Sequence, residues 1–556
     1  MTPHSALLLD RLVSARRSRP GAHAAEAALA EAAAFEPRDA EELARFHDAV
    51  LFLRAYPHSP RAVDLADEAL ARVPGLVARL DDLAPLDDTS VSGIAGTPIA
   101  MPFSWAAASW LARRDAAALR VDWDAEDLPD RLAAFLPRFV PGLEEQARVD
   151  ANVPFREYVD AARGETPDAA WLVRSLEALP YPEPVRAELW EALGLQLTWQ
   201  PRLADSRGLA RFPSPAPFCS DGPLLSRRDV SVAAELAAPP PRPVRLSRRD
   251  GAAVLDAARA AMAVRYRELP AFSAGDPSAV LRFDVGRGTA ILVTGLSREA
   301  RLPLRAGFGT LFVRNGVLVG YGDLHAALGR ADVSLNVFYA FRDGESAWLY
   351  ARLLAVARAV TGAAQLSVDP YQAGHGNEEA IASGAFWFYR KLGFRSADPA
   401  LERRARREEA RLASAPGRTP AALLRRLAAA TLLYDVPGEA CGLPDTFHLR
   451  DLGLAVARAL ASSGLPPDVF RARAARDVAR ALGLRDLDAS DREALEALSP
   501  TLALLPDLAA RPAGERRALA TLVRAKAGRD ELSYLRHSRA HALLGLALSR
   551  AVSPVS

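Results

Sequence analysis

Between residues 369 and 383 the chain gathers Asp369, Tyr371, Gln372, His375, Asn377, Glu378, Glu379 and Ser383. An imidazole with an ordinary pKa of about 6.5 can accept a proton at neutral pH, which makes His375 a general-base candidate. Gly374 and Gly376 on either side permit sharp backbone turns. The same residues also read as a helix start, with Asn377 as the N-cap and Glu378 and Glu379 complementing the positive end of a helix dipole. Farther along, His537 and His541 share the i,i+4 spacing that can offer two imidazoles to a metal. No Glu or Cys completes a motif there, and Arg536 and Arg539 flank the pair, so a surface position and no metal are expected.

The polar loop needs a strand before it and a helix after it, and the surrounding sequence supplies both. AQLSVDP reads as a strand ending at the loop, and SGAFWFYRKLGF as a short helix leading to a terminal strand. Upstream, VLRFDVGRGTAILVTGL reads as two strands around Gly286 and Gly288. GTLFVRNGVLVGYGDLHAAL holds Asn315-Gly316 between apolar runs, the strongest short hairpin signal. VSLNVFYAF reads as a strand and ESAWLYARLLAVARAVTG as a helix. Strands and helices thus mix between about 250 and 400. Ligands in open α/β sheets tend to bind beyond the carboxyl ends of strands, which is where the polar loop falls.

Helices are expected on both sides of that segment. Residues 1–200 are rich in helix formers, with Leu43, Phe46, Val50 and Leu53 at helical spacing and a break at Pro57 and Pro60. Six tryptophans in this half are expected to pack a core, because aromatic rings bury large area. Residues 201–249 are proline-rich and read as a linker or as a strap over a neighbouring domain. Residues 401–556 return to apolar helices broken by prolines. The expected fold is therefore α+β: a mixed sheet domain at 250–400 flanked by all-α regions.

Composition excludes several functions. The 556 residues carry 70 basic and 68 acidic side chains, so the net charge of +2 gives no case for a nucleic-acid or membrane surface. Only Lys391 and Lys526 are lysines, so lone arginines read as compositional background. Cys219 and Cys441 lie too far apart for a zinc site or disulfide framework. The four-residue apolar run near the start is too short for a secretory signal of roughly 7–15 residues. The cytoplasm is the expected compartment.

The segment from Val337 to Phe394 resembles the core of the GNAT acyltransferase superfamily. NVFYAFRDGESAWLYARLL sits where that family has a strand, a pyrophosphate-binding turn and a helix. AQLSVDP matches the next strand, and FYRKLGF resembles the family's Tyr-x-x-x-Gly-Phe ending through Tyr389, Gly393 and Phe394. The resemblance implies acetyl-CoA or another acyl-CoA as co-substrate, held near Val337, Phe338, Arg342, Gly344, Ser346, Ala347 and Asn377. Backbone N–H groups at a helix N-terminus suit a diphosphate, and small residues let its oxygens approach. Arg342 and Ala347 fit the family's Gln/Arg-x-x-Gly-x-Gly/Ala pattern, and Glu345 stands where its first glycine belongs. Shifting the pattern by one residue places Gly344 and Ser346 instead. Asp343 and Glu345 would repel a diphosphate in either reading.

The resemblance further implies that Tyr389 protonates the departing thiolate and that Asp323 or Glu345 serves as base, beside His375. The expected function is transfer of an acyl group from acyl-CoA to a small-molecule amine. The alternative is a catalytically degenerate GNAT-like module that binds a small molecule or a protein. A third reading makes the chain a helical assembly protein that oligomerises through its flanks.

Overall fold

The Asn315-Gly316 turn shows how local chemistry sets the sheet. Both residues adopt positive φ, 48° and 81°, as a tight two-residue hairpin requires. The turn joins β7 (Ala306–Arg314) to β8 (Val317–Ala327), two long strands paired antiparallel. The computed structural model describes residues 3–18, 22–124, 128–140, 150–415, 417–540 and 542–552.

In chain order, a small antiparallel sheet comes first, from β1 (Ile99–Met101), β2 (Leu119–Val121) and β3 (Leu197–Trp199), with β3 in the centre. The sequence reading placed only helices in this region. Three-residue strands carry too little periodic signal to stand out among helix formers. Trp105, Trp110, Trp190 and Trp199 are buried in a core built around this sheet, matching the packing role expected of them.

The main sheet begins in the proline-rich strap. Its edge strand β4 (Pro243–Arg245) pairs with β5 (Gly275–Gly286), followed by β6 (Thr289–Leu296) and then the β7–β8 hairpin. Next come β9 (Arg330–Val333) and β10 (Asn336–Val337), which run against β8 in one register: Val333 opposes Leu324, and Asn336 opposes Tyr321. Gly322 permits this approach, because a Cβ there would lie 2.1 Å from the Ser334 carbonyl oxygen. Beyond β9 lie β11 (Gln365–Val368), β13 (Leu432–Asp435) and β12 (Arg395–Ser396), in that spatial order. The sheet thus extends past residue 400, with β13 inserted between β11 and β12. The architecture is α+β: a central mixed sheet with helical regions on both sides in sequence.

The first N-terminal helices share the core of the main sheet, whereas those between residues 105 and 193 pack the separate core around the small sheet. Helices α1 (Ala40–Ala55) and α2 (Pro60–Val77) belong to the same buried cluster as the sheet and its covering helix. Asp39 caps α1 by accepting a 2.8 Å hydrogen bond from the Glu42 N–H, and Ser59 caps α2 by accepting one from Ala62, with Pro60 at its first position. Helix α3 (Arg248–Ala263) packs on β5, and α4 (Ser346–Thr361) covers the apolar face of the sheet.

Asn315 joins three parts of the chain. Its side-chain amide donates to the Ala55 carbonyl at the end of α1 (2.9 Å) and to the Phe218 carbonyl of the strap (3.1 Å). Its side-chain oxygen accepts from the Phe218 N–H at 2.8 Å. These bonds tie Phe218 and the end of α1 to the β7–β8 turn. Asn315→Gly keeps the left-handed backbone and loses the hydrogen bonds, whereas Asn315→Ala loses both. Each lost buried hydrogen bond costs about 1 kcal/mol, and αL strain in alanine adds about 1 kcal/mol. Thermal melts are expected to order wild type above Asn315→Gly above Asn315→Ala. Unchanged melting in both variants would contradict this role for Asn315.

Candidate functional site

The parallel strands β9 and β11 pair only briefly. Arg330 opposes Gln365, Ala331 opposes Leu366, and Asp332 opposes Ser367. Beyond Asp332 the first chain stays with β8, through Ser334 N–H to the Asp323 carbonyl (3.0 Å) and Phe338 N–H to the Val319 carbonyl (3.1 Å). The second chain leaves the sheet after Val368, where Asp369 caps the short helix Pro370–Ala373. The two strands part, and a cavity of about 480 Å³ lies at the opening.

Strand periodicity accounts for part of the lining, since Leu335 and Val337 border this cavity as well as Asn336. From Ala331 to Val337 apolar and polar residues alternate, so Asp332, Ser334 and Asn336 share one face of the strand. Asn336 lines the 480 Å³ cavity with Tyr321 and Asp323 of β8. Asp332, opposite His325, lines a second cavity of about 860 Å³. Asp332 is pushed up to about 7, first by burial and then by the charge of Asp369. Asp323 adds to this, while Arg305 and a 3.2 Å hydrogen bond from the Ser367 hydroxyl oppose it. His325 is pushed down to about 4 by burial and Arg305, so it is neutral at physiological pH.

Several expected residues meet at the smaller cavity. Tyr389, on α5 (Ala385–Lys391), lines it together with Asp323, Val337, Phe338, Arg342, Ser346 and Asn377. Burial raises the Tyr389 phenol, and the charge of Asp332 raises it further. Its ring stands edge-on to Tyr350 of α4 with 5.3 Å between centroids. Burial also raises Asp323. Asn377 caps the helix Glu378–Ser383 by accepting from the Ala380 N–H at 3.1 Å. Arg342 forms an ion pair with Glu379.

Others lie elsewhere. His375 is exposed and does not line the cavity, because its loop turns outward between Gly374 and Gly376. Ala347 is buried beneath the turn. Gly344 makes room for α1: a Cβ there would lie 2.6 Å from the Tyr56 hydroxyl oxygen. His537 lies in the helix Leu532–Ala540, and His541 lies outside the described residues.

Glu345 differs most from the expectation of a base. Its side chain is 0% exposed and clasped by Arg287, at 2.6 and 3.2 Å, and by Arg314, at 3.1 Å. The Leu225 N–H of the strap donates to the same carboxylate at 3.0 Å. A carboxylate held by four donors and shut off from the cavity is structural rather than poised for proton transfer. Asp343 is likewise paired, with Arg16 at 3.2 Å. The acidity expected to repel a diphosphate is therefore offset within the protein.

Sequence reasoning passed over Asp332, although the alternation from 331 to 337 carried its signal. It also passed over Arg207, Arg265 and Arg267, which line the same cavity as Tyr389. Among the described residues no group of three or more His, Cys, Asp or Glu side chains could hold a metal ion. No helix among them is long and apolar enough to cross a membrane. No family model, curated protein or solved structure matches the chain.

Two outcomes follow. Removing the charge of Glu345 leaves Arg314 buried and unpaired, so Glu345→Gln should destabilise the protein by about 3–5 kcal/mol, read by chemical denaturation. A loss below about 1 kcal/mol, the size of an exposed pair, would contradict the structural role. Asp332 titrates higher folded than its ordinary 3.8, so the folded state holds its proton more tightly. Stability from this group is present at low pH and is lost as pH rises through about 7. The Asp332→Asn variant should gain more melting temperature over wild type at about pH 8 than at about pH 5. Equal gains at both would remove the buried ionisation.

Proposed function

We propose that this chain is a GNAT-like acyltransferase that moves an acyl group from acyl-CoA to an amine. The observation that carries the reading is the parting of β9–β10 from β11 beside the N-terminus of α4. A pantetheine arm needs a slot with free backbone edges, and two parallel strands that separate offer one. The spatial order β9, β11, β13, β12, with a helix between β10 and β11, also agrees with that reading.

The chemistry follows from the residues around the opening. The first turn of α4 has no side-chain cap, so the N–H groups of Ser346, Ala347 and Trp348 remain as donors for a diphosphate. Arg342, at the cavity wall, supplies a positive charge nearby. The amine nitrogen attacks the thioester carbonyl, forming the C–N bond as the C–S bond breaks. Its surplus proton passes to an ionised carboxylate, and the thiolate takes a proton from an acid. Asp323, which lines the same cavity as Tyr389 and which burial raises, suits the base role. Tyr389 stays protonated near neutral pH, as an acid must. Asp332, pushed up to about 7, lines the larger cavity and bears on Tyr389 through its charge.

One observation favours a second reading, a module that has kept the cleft and lost catalysis. The backbone of Glu345 is hydrogen-bonded to the Tyr56 hydroxyl, so the turn has one fewer donor for phosphate. Ligand stabilisation separates the two. Acetyl-CoA at 100 times its dissociation constant should add about 2.7 kcal/mol of stability. Tyr389→Phe, which keeps the ring packing, should lower kcat by about 100-fold while leaving this stabilisation intact. The transferase reading fails if no acyl-CoA shifts the melting temperature, and Tyr389 leaves the mechanism if the variant turns over normally.

A further inference from the structure

Three arginines from distant parts of the sequence meet at the wall of the cavity that holds Tyr389. Arg207 comes from the strap, and Arg265 and Arg267 follow the end of α3. Arg207 and Arg265 are 6% and 4% exposed, so both guanidiniums are largely out of bulk water. Among the described residues, none of the three has a carboxylate within ion-pair distance. Their protein partners are neutral. Arg207 donates to the Ser90 carbonyl (2.6 Å) and the Ser92 hydroxyl (3.4 Å), Arg265 to the Ala261 carbonyl (2.7 Å), and Arg267 to the Tyr321 hydroxyl (2.6 Å). The buried Nε atoms of Arg207 and Arg265 have no hydrogen-bond partner.

This arrangement is costly in a protein that binds nothing there. A buried charge needs a counter-charge or a full set of hydrogen bonds. Burial pushes Arg207 down to about 10, with Arg267 adding to that shift, and burial and Arg207 push Arg265 down. Asp48 and Asp88 offset part of this through space for Arg207, and Asp48 does so for Arg265. The Arg265 guanidinium also sits over the Phe338 ring, 4.2 Å from its centroid, which holds it at the cavity wall. Planar guanidiniums with spare N–H donors match the geometry of an oxyanion.

We propose that Arg207, Arg265 and Arg267 bind a carboxylate or phosphate group of the acyl acceptor, so that the amine substrate is an anionic one. Naming the acceptor rests on the transferase reading, whereas binding of an oxyanion in the cavity does not. The anion neutralises the cluster while the amine at the other end of the molecule is presented beside Tyr389. The strap acquires a function in this picture, since it delivers Arg207.

Calorimetric titration of the full-length protein with inorganic phosphate tests the site without any acyl donor. Phosphate should bind wild type and bind at least about tenfold more weakly to Arg265→Met and to Arg267→Gln, each of which removes charge-assisted hydrogen bonds. Arg265→Met should melt no lower than wild type, because it relieves repulsion between like charges; Arg267→Gln, at a half-exposed position, keeps the test if the first variant misfolds. Failure of phosphate to bind wild type, or equal binding to both variants, overturns the proposal. Phosphate binding in a protein that ignores acetyl-CoA supports the oxyanion site and sinks the transferase reading. Competition between phosphate and CoA overturns the acceptor assignment, because the arginines would then serve the diphosphate of CoA.

The source of the anion is read by turnover with acetyl-CoA and three amines: glycine, phosphoethanolamine and ethylamine. Preference of at least about tenfold for either anionic amine, lost in Arg267→Gln, supports the proposal and identifies carboxylate or phosphate. Equal use of ethylamine overturns it.

Discussion

The buried carboxylate of Glu345 is the constraint on which the site depends. It sits immediately before α4 and draws together Arg287 from the β5–β6 turn, Arg314 from the end of β7 and Leu225 from the strap. Arg314 in turn donates to Thr289 at 2.9 Å and lies over the Tyr56 ring, 4.8 Å from its centroid. Sheet, strap, N-terminal helix and α4 therefore share one electrostatic joint. Moving any of them would expose or unpair a charge with little water to solvate it, and this holds the first turn of α4 at a fixed place relative to the strands. The cleft is positioned from beneath by ion pairs and from above by packing.

With the turn fixed, the polarity of the cleft comes from strand alternation. Ala331 and Val333 are buried in the core, Asp332 and Asn336 on the opposite face line the two cavities, and Ser334 between them is buried. The acids sit where burial raises them, and the arginines where burial lowers them. Groups of both signs are thus destabilised in their charged forms within one region, a condition that ligand binding or proton transfer can exploit.

Much of this was legible from residue order, and the exceptions have physical causes. The Asn315-Gly316 hairpin, the helix after Glu345, the strand at 365–368 and the cap at Asn377 rest on local chemistry, which sequence carries directly. Tyr389 and Asp323 reached the cavity because the topology follows strand order. The burial of Glu345 is not legible in residue order, because it depends on Arg287 and Arg314, which approach only through the sheet. The exposure of His375 is not legible for a similar reason: a polar loop between two glycines has no periodicity to tell inward from outward. Strand β13 and the three cavity arginines were invisible because distant segments supply them, and a composition rich in arginine gives no single one prominence.

A crystal structure with CoA bound would test the central claim, that the parted strands and the turn before α4 form an acyl-CoA site. The expected result is diphosphate oxygens on the N–H groups at the start of α4, with the pantetheine arm running between β10 and β11 toward Tyr389. CoA bound elsewhere, or a cleft left empty at saturating CoA, would contradict that claim.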